Sequence, residues 1–412
     1  MKNPAPQVVL GLRQNWKQFS ILVVINAFVG AMIGLERAIF PQFAIEIFGL
    51  ESKVAILSFI TAFGISKSAA NYFSGKLANQ FGRKNLLILG WILALPVPLI
   101  LAFTGSWNWV IASNVLLGIS QGLTWSSTVV MKIDLVGEKD RGFAMGLNEF
   151  AGYFAVGIFA FISGFLAQKY GIRPYPFLLG ELIAIMGLLL TIFLVKDTRK
   201  HVEMESKGHA QVSTKGIFWE TTFRNKTLSA ITQAGLVNNL NDGMIWGLLP
   251  VLLMSLRFEL EEVGLIAAIY PTVWGISQLF TGKMADIFPK KTLLFWGMLA
   301  QGIAILFLPL AESYPMLLMV SVSLGIGTAV VYPTFLAAIA EATHPHQRAE
   351  SIGTFRLWRD LGYAIGAILS GITADLFGIP IAIVTIGLIT IGSSLVIQFR
   401  MPKKIKFGNR LN

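Results

Sequence analysis

Cysteine is absent from the 412-residue chain, which excludes disulfides, thiolate metal sites and cysteine nucleophiles. Histidine is nearly absent. Its four copies (His201, His209, His344 and His346) all lie in hydrophilic stretches, so no His-ligated metal is expected inside an apolar segment, and no cofactor site is recognisable. Charge is scarce too: Asp, Glu, Lys and Arg make up 13% of residues, against roughly 25% in an ordinary soluble domain. The apolar share is 54% and the mean hydropathy +0.67. Such an excess is too large for one soluble core, which stops growing near roughly 250–300 residues. Disordered, collagen-like and coiled-coil chains are excluded by the same composition. What remains is an all-α integral membrane protein with many spans.

A helix needs about 20 mainly apolar residues to cross the hydrocarbon core. Dividing the chain at its charged and turn-rich clusters leaves twelve such runs, near 19–41, 53–73, 85–104, 107–131, 142–167, 173–195, 228–256, 261–281, 292–311, 314–340, 349–374 and 379–400. They are too long and too little alternating for barrel strands. Lys2, Arg13 and Lys17 precede the first run as they would in a secretory signal, but no small-residue cleavage site ends it, so it is expected to be an uncleaved span.

Lys and Arg outnumber Asp and Glu by 33 to 22. With both termini cytoplasmic, 25 of the 33 basic residues fall in inside loops and tails and only Lys53, Lys169, Arg173 and Arg257 in outside loops, an asymmetry that predicts N-in, C-in topology. The positive charge is thus a topology signal and not a nucleic-acid footprint. The long polar segment 196–227 is expected to be a cytoplasmic basic linker between an N-terminal unit (1–195) and a C-terminal unit (228–412) with a basic tail. A solvated tether is the expected reading of this segment, with an amphipathic stretch around 217–223 on the membrane surface as the alternative.

The chain also matches itself at a shift of 207 residues. GKLANQFGRKNLL from Gly75 aligns with GKMADIFPKKTLL from Gly282; Gly118 falls on Gly325, Arg141 on Arg348, Gly146 on Gly353 and Gly171 on Gly378, while Pro41 and Pro250 correspond with a two-residue slip. Two homologous six-helix bundles side by side are predicted, enclosing a central site that rocking would expose to each face in turn.

Over essentially its whole length the sequence resembles the major facilitator superfamily. The most specific mark is the loop after the second span, which is similar to G-x-x-x-D-x-x-G-R-[RK]: Gly75, Gly82, Arg83 and Lys84 match, Asn79 stands where the family has Asp, and the second copy keeps the acid as Asp286 but has Pro289 in place of glycine. The resemblance implies a secondary transporter working by alternating access, with that loop latching the cytoplasmic side. A weaker latch follows for the first half and a more charge-dependent one, around Gly282, Asp286, Lys290 and Lys291, for the second. Drug/proton antiporters of the family usually carry an arginine where this chain has Asn114 and a G-P-x-x-G-G motif in helix 5, where it reads NEFAGYFAVG; both departures count against a typical drug antiporter.

An ionisable group at bilayer depth is costly and usually faces a cavity or a partner. Lys67, Glu149, Arg356, Arg359 and Asp360 are expected to cluster in the cytoplasmic half of the central cavity, since Lys67 lies about 12 Å inside the membrane at 1.5 Å per residue and Glu149 and Arg356 lie at similar depth. Asp360 is one turn from Arg356, a spacing suited to an ion pair. Because helices 2 and 11 face each other in the family, Lys67 with Asp360 is the expected pair that breaks and reforms. A permanent structural network inside one bundle is the alternative. Of Glu36 and Arg37, adjacent near the outer end of helix 1, at most one faces the cavity, and Arg37 has the option of snorkelling to the interface. Asp242, in the polar stretch NNLNDG, is the best single candidate for substrate or proton contact, and Glu181 is expected at a peripheral packing position. Asn26, Asn114, Gln121, Trp125, Asn238, Trp246, Tyr270, Trp274, Gln278 and Tyr332 are candidates for the cavity lining.

The composite expectation is a monomeric carrier of a small solute, an organic anion or amphipathic metabolite, coupled to protons and set in the bacterial inner membrane. Multidrug or metabolite efflux by proton antiport is the alternative, and a non-transporting sensor or scaffold a further one. A membrane-embedded enzyme lacks a catalytic constellation here, and a channel fits poorly with a twofold internal repeat.

Overall fold

The computed structural model describes residues 9–136, 141–201, 216–343 and 345–403, except the side chains of 75, 76, 78, 79, 141–143, 286, 345, 346, 348 and 349. Among these residues the secondary structure is helical throughout, with twelve long helices: α1 (Leu12–Arg37), α2 (Ser58–Phe81), α3 (Arg83–Phe103, kinked at Leu95), α4 (Trp107–Val136), α5 (Arg141–Tyr170), α6 (Tyr175–Leu194), α7 (Lys226–Ser255), α8 (Leu260–Ile287), α9 (Lys290–Phe307), α10 (Tyr314–Ala342), α11 (Pro345–Phe377) and α12 (Ile379–Arg400). Several overrun the apolar runs at their ends, because a helix continues beyond the hydrocarbon wherever its polar residues reach water. After a turn at Ala38 and Ile39 the chain of α1 continues as a short helix, Phe40–Phe48, with a second short helix, Lys53–Ile56, leading into α2.

Nine of the twelve are apolar enough to cross a membrane on length and composition alone; α2, α4 and α7 are not among them. Their polarity points inward: Lys67 on α2, Asn114, Gln121 and Lys132 on α4, and Asn238, Asn239, Asn241 and Asp242 on α7 are all buried. A span can carry such residues when neighbouring helices, not lipid, surround them.

Helices α1–α6 and α7–α12 form two bundles. They meet along two seams, α2 against α11 and α5 against α8. The 207-residue shift survives in the packing: Gly171 and Gly378, both with φ of 90°, turn the chain from α5 into α6 and from α11 into α12. Close approach depends on glycine in both seams. A Cβ on Gly164 would lie 2.7 Å from the Leu260 carbonyl, and one on Gly64 would lie 2.8 Å from the Ala364 nitrogen. These tight contacts occur toward the end opposite the linker, called here the far side. Toward the linker side the glycines have more room: among the described residues a Cβ on Gly282 or Gly353 would meet nothing within 4 Å, and one on Gly146 would lie 3.7 Å from the Gln278 carbonyl across the α5–α8 seam.

The far side is also closed by polar caps that cross each seam. Asp375, at the end of α11, accepts hydrogen bonds from the Ser52 hydroxyl (2.7 Å) and from the Lys53 and Val54 amides (2.5 and 3.1 Å) of the other bundle. On the opposite seam Gln168 of α5 donates to Glu259 (3.1 Å) and accepts from the Leu260 amide (3.2 Å). Gln168 and Asp375 are repeat mates, as are Ser52 and Glu259, so the duplication placed the same cap on both seams and left one acceptor charged and the other neutral.

Candidate functional site

Between the bundles, on the linker side of the seams, lies a cleft of about 20 Å³. Its charged lining is Lys67, Arg356, Arg359 and Asp360; Trp125, Tyr153 and Tyr332 supply three rings, and Asn71 and Ser126 complete it. That volume holds about one water molecule, whereas solute pockets run to roughly 300–1,000 Å³. The cleft is therefore constricted in this conformation and must widen to admit a solute.

Arg359 is the most completely bonded of the cations. Its Nε donates to Asn239 (3.2 Å), Nη1 to Tyr332 (2.9 Å) and Nη2 to Tyr153 of the other bundle (3.2 Å), and its guanidinium lies 4.4 Å from the Tyr332 ring centroid. Asp360 accepts from Asn239 (3.4 Å) and from Asn71 across the α2–α11 seam. Tyr153 stacks on Trp274 at 3.5 Å across the α5–α8 seam. Contacts through the core thus bind both seams.

The expected ion pairs are not those that form. Among the described residues neither Lys67–Asp360 nor Arg356–Asp360 comes within 4.0 Å. The reason is competition: two amides occupy Asp360, and the Lys67 ammonium lies 5.2–5.5 Å from the ring centroids of Phe63, Trp125 and Tyr363. A desolvated cation over a ring gains roughly 2 kcal/mol. Arg356 is half-buried at the cleft and forms no ion pair among the described residues. Glu149 lies behind Trp125, accepting from its indole (3.1 Å) and from Asn148 (2.9 Å).

Arg37 does not snorkel. It and Glu36 are both 2% exposed. The Arg37 guanidinium lies 4.2 Å from the Trp246 ring centroid and 5.2 Å from that of Phe63, so helices of both bundles surround it. Asp242 accepts a 2.5 Å hydrogen bond from Tyr270, whose hydroxyl also lies 3.3 Å from Thr328, all inside the C-terminal bundle. Glu181 is partly buried on α6, away from the cleft.

Of the ten lining candidates, Trp125 and Tyr332 line the cleft. Asn26 instead braces α1 to α4 and α5, donating to the Asn148 carbonyl (2.7 Å) and accepting from Thr128 (2.8 Å). Gln121 donates to the Val29 carbonyl (2.9 Å), Asn114 returns to its own helix at Val110 (3.2 Å), and Asn238 donates to Asn239 (3.3 Å). Trp246, Tyr270, Trp274 and Gln278 are buried and are not part of the cleft lining.

Most of the expected loop motif is helical: Gly75 and Asn79 fall on the last turns of α2 and Asp286 on the last turn of α8, and the side chains of Asn79 and Asp286 lie outside the described residues. Gly82 has φ of 88°, and a Cβ there would meet Arg199 and Asp197 within 3 Å. Asp197 accepts from the Lys84 amide (3.0 Å), and the Lys84 ammonium donates to the Ile192 carbonyl (2.8 Å), tying this loop to the start of the linker. The acidic partners are residues the sequence reading did not single out: Arg83 of the motif pairs with Asp134 at 3.5 Å and its repeat mate Lys290 with Glu341 at 2.7 Å. Asp134 and Glu341 are themselves 207 apart, so both halves carry the same clamp. Gly282 and Lys291 lie beside the second one, half-buried.

Other residues also escaped the sequence reading. Lys132 falls one residue past the expected fourth run (107–131), yet α4 extends past it and buries it with its ammonium 3.2 Å from the Leu22 carbonyl. Asn71 lies one turn from Lys67 and Tyr363 one turn from Arg359, so helical spacing from the charges was the available signal. Asn239 lies inside the NNLNDG stretch that pointed to Asp242, and Tyr153 had no comparable mark.

Comparison with known proteins agrees with this architecture. The family model described as Major Facilitator Superfamily matches residues 19–239 and 231–410. The chain is 24% identical to the multidrug resistance protein MdtG of Proteus mirabilis over 379 residues, 88% of this chain and 91% of that one. It is likewise 24% identical to the multi-drug resistance efflux pump PmrA of Streptococcus pneumoniae serotype 4, covering 95% and 98% of the two chains. Its fold is similar to that of the human organic anion transporter MFSD10, with a TM-score of 0.71 at 15% identity over 93% of this chain and 99% of the other. With twelve helices in two repeated bundles and the family model covering nearly all of both, the chain belongs to the Major Facilitator Superfamily.

Proposed function

We propose that the protein is a secondary transporter that moves an amphipathic organic anion through the seam between its bundles by alternating access. The observation that carries this reading is the cleft lining: three cations against one carboxylate, interleaved with three aromatic rings. Such a surface favours a solute with a negative group and an apolar or aromatic body. The units 1–195 and 228–412 act as the rocking bodies and 196–227 as the linker on the cytoplasmic face. Both termini then face the cytoplasm of a bacterial inner membrane, and one chain holds one pathway. Buried Glu149 and Asp242, each with one oxygen lacking a hydrogen bond among the described residues, are the acids through which protons couple.

Counterflow in proteoliposomes tests this, run with and without a pH gradient over organic anions, amphipathic cations and sugars. Anion-selective counterflow that accelerates under the gradient is the expected result. Saturable binding without counterflow would instead identify a non-transporting sensor or scaffold. A second reading, multidrug efflux by proton antiport, is favoured by the names of the MdtG and PmrA relatives, and counterflow dominated by amphipathic cations would establish it.

A further inference from the structure

The three most deeply buried cations of the seam have unequal partners. Arg359 has all three nitrogens hydrogen-bonded, and Lys67 lies over rings at the cleft. Arg37 alone has Nε, Nη1 and Nη2 all buried without a hydrogen-bond partner among the described residues. A guanidinium presents its donors as a planar fork matched to a carboxylate, and a ring against its face satisfies none of them. Neighbouring carboxylates do not fill the role: no oxygen of Glu36 or Asp242 comes within 4.0 Å of Arg37.

Position gives this unmet fork a meaning. Arg37 ends α1 on the far side, while Lys67 faces the cleft on the linker side. Phe63 lies between them, 5.2 Å from one cation and 5.3 Å from the other. Trp246 covers Arg37 and stacks at 5.0 Å on Tyr363, which in turn contacts Lys67 at 5.2 Å. Phe63 belongs to one bundle, Trp246 and Tyr363 to the other, so the three rings form a plug that parts when the bundles separate on the far side.

We propose that Arg37 is a second, far-side anion subsite, which takes the carboxylate or sulfonate of an aryl solute once the plug of Phe63, Trp246 and Tyr363 has parted. This rests on the organic-anion reading above and adds that the negative group is held by Arg37 at the far side, whereas Arg359 positions Tyr153 and Tyr332. The site is two-ended: Lys67 receives the anion from the linker side and Arg37 from the far side, with the aromatic plug separating them.

The test uses the full chain, wild type and with Arg37→Gln or Arg37→Lys, and two probes of one shape: 1-naphthoate and its neutral amide, 1-naphthamide. Binding is measured on protein in nanodiscs, and counterflow on proteoliposomes with the probe presented to one face at a time. Arg37→Gln is expected to weaken naphthoate binding on the order of tenfold, the worth of one charge-assisted hydrogen bond, and to leave naphthamide unchanged. Arg37→Lys, which keeps the charge and loses the fork, should fall between. In counterflow the rise in KM should appear for naphthoate offered from the far side and be small from the linker side. A variant that merely misfolds loses both probes equally, and that result, or an equal KM rise from both faces, overturns the proposal. Wild-type naphthoate counterflow left intact by Arg37→Gln overturns the subsite and spares the anion reading. Charge-selective binding without transport spares the subsite and overturns the anion reading. Failure of the wild type to bind naphthoate overturns both.

Discussion

Replacing Asp375 with alanine should open the far side. Its carboxylate holds three donors of the other bundle, at 2.7, 2.5 and 3.1 Å. The short helix it caps is not left bare, because the Ser52 hydroxyl itself accepts from the Ala55 amide at 3.3 Å. The loss therefore falls on the contact across the seam. Removing an N-terminal cap costs roughly 0.5–2 kcal/mol, and solvent exposure of Asp375 argues for the middle of that range. About 1 kcal/mol corresponds to about a fivefold shift in the ratio of far-side-open to far-side-closed molecules. Asp375→Asn keeps an acceptor and should shift it less, and Gln168→Ala, which removes a neutral cap, should fall at or below Asp375→Asn. The cysteine-free chain makes the measurement direct: Ser106→Cys and Ser313→Cys, exposed repeat mates in the far-side loops, carry spin labels without background, and pulsed electron–electron spectroscopy reads the distance distribution. The positive control is Gly164→Leu, whose Cβ would lie 2.7 Å from the Leu260 carbonyl and 2.9 Å from the Gly264 Cα, wedging the same end apart. If the control lengthens the distance and Asp375→Ala leaves the wild-type distribution in place, the cap does not hold the seam.

Three other outcomes are expected. Arg83→Ala should lower the thermal midpoint more than Lys290→Ala, because the Arg83–Asp134 pair is buried whereas the Glu341 side chain of the equivalent pair is 43% exposed; equal shifts in a thermal-melt assay would refute this. Lys132→Met should be tolerated better than Lys132→Asp in expression and melting, since among the described residues the ammonium donates to the Leu22 carbonyl alone and the methionine fills the same volume; the reverse order would place a needed charge there. Asp242→Asn should keep the fold, because the amide oxygen can still accept from Tyr270, while abolishing any dependence of counterflow on the pH gradient that runs through this residue; an unchanged gradient response in a well-folded variant would remove Asp242 from the proton path.

Span number and the doubling of the bundle were legible because both are written in hydropathy and in a constant offset, and neither depends on which way a side chain points. The offset went further than its conspicuous glycines: Asp134 and Glu341, and Gln168 and Asp375, occupy equivalent places although their types differ, and only the structure draws attention to them. The site was less legible. Sequence spacing correctly suggests that Arg356 and Asp360 share a helix face, but an ion pair needs both partners to have nothing better, and Asn71 and Asn239 reach Asp360 from two other helices. Asn26 and Gln121 show the same limit, since polarity in a span reveals a need for a partner and not whose partner it is. Lys132 was misplaced for a different reason: a charge near the end of an apolar run marks the end of the run, and a helix surrounded by protein has no cause to stop there.

Tyr153 belongs in effect to both lobes. Its ring rests on Trp274 and its hydroxyl on Arg359, so a single phenol is a tenant of each wall of the crevice. No rotation of one lobe can spare both attachments, and the molecule must surrender them at nearly the same moment. That makes the side chain a tie between two losses: the stack on Trp274 and the bond to Arg359 both sit on the opposing lobe, so one parting takes both.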